Sequence, residues 1–372
     1  MKKTPLMLGL VGLCSLAGGL ASCTSNGSSA EIAVVTDVGL LHDGGFNEGT
    51  YNGAVEFAKK NNKTYQYYQP ENGAEATDND RIAAMEAAIK NKAKVIVAPG
   101  FLQATAMTKV ATENPEVKFI FVDGWALSDK DNNVLKNVTA ITYKEQESGY
   151  MAGYAAVKEG YTNLGGCFGG GGSNPACNRY AYGYVQGINE AAKEMNKNVT
   201  TKISYKYGEN FGASSELVTQ MDGWYSKGTE IVFACGGTMV NSVITSAQKS
   251  DNKMVIGVDT DQKALSDRIL TSAQKGLSVS VNQVLTQLYS NEWDTKLGGK
   301  AQNLGASDDA TGLPTANDSW RFKNFTKEEY NTIFNKIKSG SLTPAFDVAE
   351  DCNNQEFWTK DSFTNVTVTL DK

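Results

Sequence analysis

The chain has 372 residues, with 35 basic and 41 acidic side chains, one histidine and a net charge of −6. That acidic balance, with Arg81, Arg179, Arg268 and Arg321 as its arginines, argues against a nucleic-acid-binding surface. The length exceeds one ordinary hydrophobic core and points to two lobes.

The N-terminus sets the compartment. Lys2 and Lys3 precede an apolar run over 6–20, followed by Leu20-Ala21-Ser22-Cys23. The run is shorter than the ~20 residues that a membrane-spanning helix needs. Residues 1–22 therefore read as a signal peptide. Small residues before a cysteine resemble a bacterial lipobox, which makes Cys23 the lipidated first residue of the mature chain. The polar residues that follow suit a flexible tether, 23–30.

From residue 31 onward, strands and helices alternate. A strand over 31–38 leads to a helix over 47–60, a strand over 64–69 and a helix over 78–90. Val95-Ile96-Val97 marks a strand over 94–98, followed by a helix over 103–112 and strands over 117–122 and 138–143. A helix over 145–158 opens a second series. It has strands at 164–168, 201–207, 230–234 and 253–258 and helices at 178–194, 214–227 and 239–248. One further strand and helix are expected at 269–272 and 279–293. Residues 296–319 read as an exposed excursion, and Thr326 with Glu329 forms a capping box for a last helix over 325–337.

Short apolar strands alternating with helices predict an α/β fold of two Rossmann-like lobes, each a parallel sheet covered by helices on both faces. The expected division is 31–144 plus 262–296 for the first lobe and 145–261 plus 297–372 for the second, with hinges near Lys144, 260–262 and Leu297.

In open α/β sheets, ligands bind beyond the carboxyl ends of the strands. Here those ends carry Asp37, Asp123, Gly236-Gly237 and Asp259, and the loop after Tyr207 carries Phe211. The first such loop also holds Phe46 and Asn47. Brought together, two phenyl rings sandwich a planar base, carboxylates accept from neighbouring hydroxyls, and an amide reads a base edge. So many acids repel phosphate, which favours a nucleoside over a nucleotide.

Other features carry less. Asp43 is placed to cap the helix at Asn47 rather than to bind ligand. His42 alone makes neither a metal site nor a catalytic base. The run Gly169–Gly172 lacks a following Gly-Lys-Ser/Thr and reads as a flexible loop at the cleft rim. Cys167 and Cys177 flank it, and an exported protein can either bridge them or leave two free thiols.

Several motifs together resemble one family. They are the lipobox, Asp43-Gly44-Gly45-Phe46-Asn47, Phe119-Ile120-Phe121-Val122-Asp123-Gly124, Ile256-Gly257-Val258-Asp259-Thr260-Asp261-Gln262 and Leu270-Thr271-Ser272-Ala273-Gln274-Lys275. They resemble the basic membrane protein family, the nucleoside-binding lipoproteins of ABC importers of the purine nucleoside receptor type. The resemblance implies a type I periplasmic-binding-protein architecture with a hinge between lobes. It implies that Phe46 and Phe211 sandwich the base and that Asn47 and Asp123 bond its edge. Asp37 and Asp259 would hold ribose hydroxyls, Lys275 would reach the sugar, and Gly236 would line the site. It also implies an ABC permease and ATPase as partners, a palmitate-bearing anchor on the extracytoplasmic face of the cell membrane, and no cofactor, metal or catalytic residue. The chain departs from the family at 167–177 and after Trp293. A sugar-binding lipoprotein of the same fold is the alternative. A nucleoside hydrolase is less well served, because it needs a metal cluster or a base matched to neutral pH.

Overall fold

The computed structural model describes residues 29–38, 40–208, 210–346, 352–359 and 362–372. The expected signal peptide and Cys23 lie outside these residues.

The first lobe is built on β1 (Ile32–Val35), β2 (Tyr65–Tyr68), β3 (Val95–Pro99), β4 (Lys118–Val122) and β5 (Val138–Tyr143). Parallel neighbours need a crossover, and α1 (Phe46–Lys60), α2 (Asp78–Lys90) and α3 (Ala104–Glu113) supply it. Every residue of β1 and β3 is buried, as a strand covered on both faces requires. Met85, Met107 and Val110 fill one face of this sheet; Phe57, Val281 and Leu285 fill the other.

The second lobe repeats the plan. It has β6 (Asn163–Phe168), β7 (Val199–Ser204), β8 (Ile231–Cys235), β9 (Met254–Asp259) and β10 (Ile269–Lys275). Its helices are α4 (Glu145–Glu159), α5 (Pro175–Glu194), α6 (Ser215–Ser226) and α7 (Met239–Ala247). Then come α8 (Leu277–Tyr289), β11 (Ala301–Leu304), β12 (Thr311–Gly312), α9 (Lys327–Lys338) and β13 (Val366–Leu370). The two strand orders are β11-β5-β4-β3-β1-β2 and β12-β10-β9-β8-β6-β7-β13. All described pairs are parallel except β10 with β12.

These orders correct the expected division of the chain. Residues 269–275 belong to the second sheet, where Gln274 pairs with Asp259. Residues 301–304 belong to the first, where Leu304 pairs with Tyr143. The polar segment Ala301-Gln302-Asn303-Leu304 is a half-exposed edge strand held by backbone hydrogen bonds, so it leaves no apolar pattern to read. The expected exposed excursion over 296–319 is likewise largely ordered: Leu297, Ala306, Ala310 and Leu313 are buried. β13 was not expected, although Val366, Val368 and Leu370 alternate with exposed threonines.

The chain therefore crosses between lobes at 143–145, 275–277 and 304–306 rather than at 260–262 or Leu297. The crossings lie side by side. Lys144 N–H donates to Leu304 O at 2.8 Å, and Gly276 N–H donates to Ala310 O at 2.7 Å. The buried Glu147 carboxylate accepts from Ala306 N at 2.6 Å and from Thr311 Oγ1 at 2.7 Å. A Cβ on Gly305 would sit 2.7 Å from the same carboxylate, so glycine is what lets these strands of chain touch.

One helix contact sets up the site. A Cβ on Gly183 of α5 would lie 2.1 Å from Gln146 O of α4, and one on Gly149 would lie 2.3 Å from Tyr180 O. The two backbones touch through these glycines. This brings Glu145, at the start of α4, against Arg179.

Candidate ligand-binding site

The carboxyl ends of both sheets open on one cavity of about 430 Å³, within the range of roughly 300–1,000 Å³ typical of small-molecule pockets. Asp37, Phe46 and Asp123 line it from the first lobe; Phe211, Gly236, Asp259 and Lys275 line it from the second. Asn47 does not line it. Its Oδ1 accepts from Asp37 N at 3.1 Å and its Nδ2 donates to Val38 O at 3.1 Å. Its amide is spent on the turn that carries Asp37, which corrects the expectation that it reads a base edge. Asp43 supports the same turn by accepting from the N–H groups of Gly45, Asn47 and Glu48.

Three of the non-glycine lining residues have left-handed backbones: Asp123 at φ 58°, Asp259 at φ 64° and Phe211 at φ 59°. Asp and Asn tolerate this region, but a bulky residue there is an outlier. Such conformations cost on the order of 1–3 kcal/mol and persist where the surroundings over-determine them. For Phe211 the surroundings are glycines. A Cβ on Gly169 would lie 2.3 Å from its ring and one on Gly236 would lie 3.0 Å from it. The run Gly169–Gly172, expected as a flexible rim loop, thus serves as the seat of the Phe211 ring. It is pinned in turn by Gly170 N–H donating to Gly208 O and by Asn178 Nδ2 donating to Gly172 O.

The expected alternative of a Cys167–Cys177 bridge is not realised. Both are free thiols. Cys167 belongs to the core on one face of the second sheet and Cys177 to the core on the other. The Cys177 sulfur lies 4.0 Å from that of Cys235.

A buried chain of charges closes one wall. Lys275 Nζ lies 2.7 Å from Asp123 Oδ2 and 3.3 Å from Glu145 Oε1, and Glu145 Oε2 is 2.5 Å from Arg179 Nε. Burial disfavours the charged ammonium, but Asp123, Glu145 and Asp259 outweigh it and hold Lys275 protonated. Burial likewise pushes Glu145 up, yet Arg179 and Lys275 overcome it, and the carboxyl stays below its ordinary range. Lys275 also sits 5.1 Å from the centre of the Phe46 ring, within cation–π reach. Asp123 Oδ1 is buried and accepts no hydrogen bond.

Asp123, Asp259 and Asp37 are less well compensated than Glu145, and burial raises all three. Burial pushes Asp259 up to about 7 despite Lys275, with Asp123, Asp43 and Glu145 adding to the rise. Burial pushes Asp37 up to about 6 against the opposing pull of Arg81. A raised carboxyl pKa means that the folded chain holds a proton that the unfolded chain has already released. Stability then falls as pH rises from the unfolded value towards the folded one, and the loss is complete above it. For Asp259 that window runs from 3.8 to about 7. At about 1.36 kcal/mol per unit, the loss is on the order of 4 kcal/mol. Asp259→Asn, which keeps a residue tolerant of positive φ, is expected to remove most of that slope in ligand-free protein. Urea unfolding across this pH range checks it, and parallel curves for the two proteins would contradict the assignment.

The sequence reading missed Phe101, Trp125, Arg179 and Tyr180, which also line the cavity. Trp125 follows the quoted Asp123-Gly124 and was open to notice. Arg179 and Tyr180 lie within α5 and give no local signal; they reach the cleft because α5 packs tightly on α4. Residues 260–262, expected as a hinge, instead touch the first lobe. Thr260 Oγ1 and Gln262 Nε2 both donate to Gly44 O, at 2.6 and 3.1 Å.

A family model described as ABC transporter substrate-binding protein PnrA-like (Bmp) matches residues 30–343. The chain is 30% identical over 285 residues to the ABC transporter nucleoside-binding protein BmpA of Lactococcus lactis subsp. cremoris, covering 71% of this chain and 76% of that protein. It is 25% identical over 311 residues to basic membrane protein B of Borreliella burgdorferi, covering 80% and 86%. Its fold is similar to that of an ABC transporter solute-binding protein from Aeropyrum pernix K1, with TM-score 0.64, 19% identity and 88% of each chain covered. A solute-binding protein from Conexibacter woesei gives TM-score 0.63 at 18% identity, covering 86% of this chain and all of that one.

Proposed function

Because the chain belongs to the Bmp family of PnrA-like ABC transporter substrate-binding proteins, we propose that it captures nucleosides, purine nucleosides foremost, in the interlobe cavity and delivers them to a permease. One observation carries this reading. Phe46 from one lobe and Phe211 from the other line the same cavity as Asp37, Asp123 and Asp259. Aromatic faces suit a base, and acceptor-only carboxylates suit sugar hydroxyls. The relative named a nucleoside-binding protein supports the same ligand class. A phosphorylated ligand would face three carboxylates and is disfavoured.

Three adjacent crossings between the lobes allow hinge closure around the ligand. The closed form presents one joint surface to a permease, so docking reports occupancy. The lipobox at Cys23 supports a lipid anchor that holds the protein at the extracytoplasmic membrane face. Among the described residues, no helix is long and apolar enough to cross a membrane. Binding without turnover is the proposed role.

The test is mass spectrometry of small molecules released when protein beginning at Thr24 is denatured. An intact nucleoside is the expected product. A hexose would favour the sugar-binding alternative, and free base formed from added guanosine would favour hydrolysis.

A further inference from the structure

Asp37 stands apart from the charge chain built on Lys275. Its backbone is fixed by Asn47, and a Cβ on Gly100 would fall 1.8 Å from its Oδ2, so the carboxyl occupies space that only glycine leaves open. The cation facing it is Arg81 of α2. Arg81 Nε lies 3.9 Å from Asp37 Oδ1, and both side chains are more than nine-tenths buried. Both atoms lack a hydrogen-bond partner. The far end of the guanidinium is tied down: Nη1 donates to Ala76 O at 2.9 Å and lies 3.8 Å from Asp78 Oδ1. Arg81 therefore cannot swing away to solvent, and its Nε edge stays turned towards Asp37. A buried arginine with an unused donor costs stability.

We propose that Arg81 is the positioning residue for Asp37, holding its carboxylate charged and aimed into the cavity so that it accepts a ligand hydroxyl. This rests on the nucleoside reading of the site. The other charged group acting on Asp37 is Asp123, at the end of β4, which opposes its ionisation. Asp78 of α2 faces Arg81 from the solvent side. Without Arg81, only the backbone N–H of Val38 is left to oppose burial and Asp123 at Asp37. The carboxyl then takes up a proton at higher pH and ceases to be an acceptor-only group.

Two measurements on the full chain test this, with Arg81→Met and Arg81→Lys as variants and circular dichroism as the check on folding. The first needs no ligand. The Asp37 carboxyl is titrated by carbon-13 NMR, and its midpoint is expected to rise by about one pH unit or more in Arg81→Met and to stay near wild type in Arg81→Lys. The second is calorimetry with guanosine. Arg81→Met is expected to weaken binding roughly tenfold near about pH 6 and far less near about pH 8.5, where Asp37 is ionised in both proteins. An unmoved Asp37 midpoint overturns the proposal, as does an affinity loss equal at both pH values, which would mark a purely structural arginine. Wild-type protein that fails to bind guanosine would count against the nucleoside reading alone, leaving the NMR titration to decide the role of Arg81.

Discussion

Lys275→Met is expected to cost about 3–5 kcal/mol of stability, the usual penalty for removing one partner of a buried ion pair. The side chain is 3% exposed and touches Asp123 across the cleft and Glu145 within its own lobe. Methionine fills similar space, so lost packing contributes little. What remains at that wall is the buried Asp123, Glu145 and Asp259 carboxylates, with Arg179 paired to Glu145 and more distant from Asp123. The cost should shrink as pH falls and Asp123 and Asp259 take up protons. Urea unfolding at mildly acidic and mildly alkaline pH measures this. Adding Asp123→Asn to Lys275→Met is expected to restore part of the loss, since it removes one of the stranded charges. A loss below about 1 kcal/mol that is the same at both pH values would contradict the charge account. Ligand affinity should fall as well, because the same ammonium lies over the Phe46 ring.

Phe46→Ala and Phe211→Ala are each expected to weaken nucleoside binding by about 1–3 kcal/mol, or roughly 5- to 150-fold, the measured worth of base–aromatic stacking. The two differ in what else they change. Phe46 is the first residue of α1 and is packed beside the first-lobe core, so its loss removes some packing there as well as the ligand contact. Phe211 pays for a positive φ, and its ring is held by Gly169 and Gly236. Phe211→Ala keeps the positive φ and loses the ring's packing beside the second-lobe core, so a modest loss of stability should accompany the drop in affinity. Gly169→Ala should lower affinity too, because its new methyl group would occupy the place of the Phe211 ring. Calorimetry with guanosine reads all three. Full affinity in both phenylalanine variants would remove stacking from the proposed mechanism.

Much of this was legible in the chain itself. Val95-Ile96-Val97 and its counterparts are short apolar runs ending in polar groups, and a strand buried on both faces leaves just that trace. Strand ends then placed Asp37, Asp123 and Asp259 at one edge of each sheet without any knowledge of contacts. The motif at Gly44-Gly45-Phe46-Asn47 and the likeness built on it pointed to the family to which the chain belongs. The misreadings have a common cause. Asn47 is an amide in the right loop, and only the fold shows both its ends engaged by Asp37 and Val38. Residues 301–304 are polar, and backbone pairing alone assigns them to the first sheet.

The α/β alternation, the strand-end carboxylates and the aromatic residues near them are written in the chain, because hydrophobic period and turn chemistry are local properties. Which lobe owns 269–275 and 301–304, how Arg179 and Lys275 meet Glu145, and why Phe211 can hold a left-handed backbone emerge only on folding. Each of those depends on close approach between segments distant in sequence, through glycines on facing helices or a buried cation between carboxylates, and no local pattern encodes such an encounter.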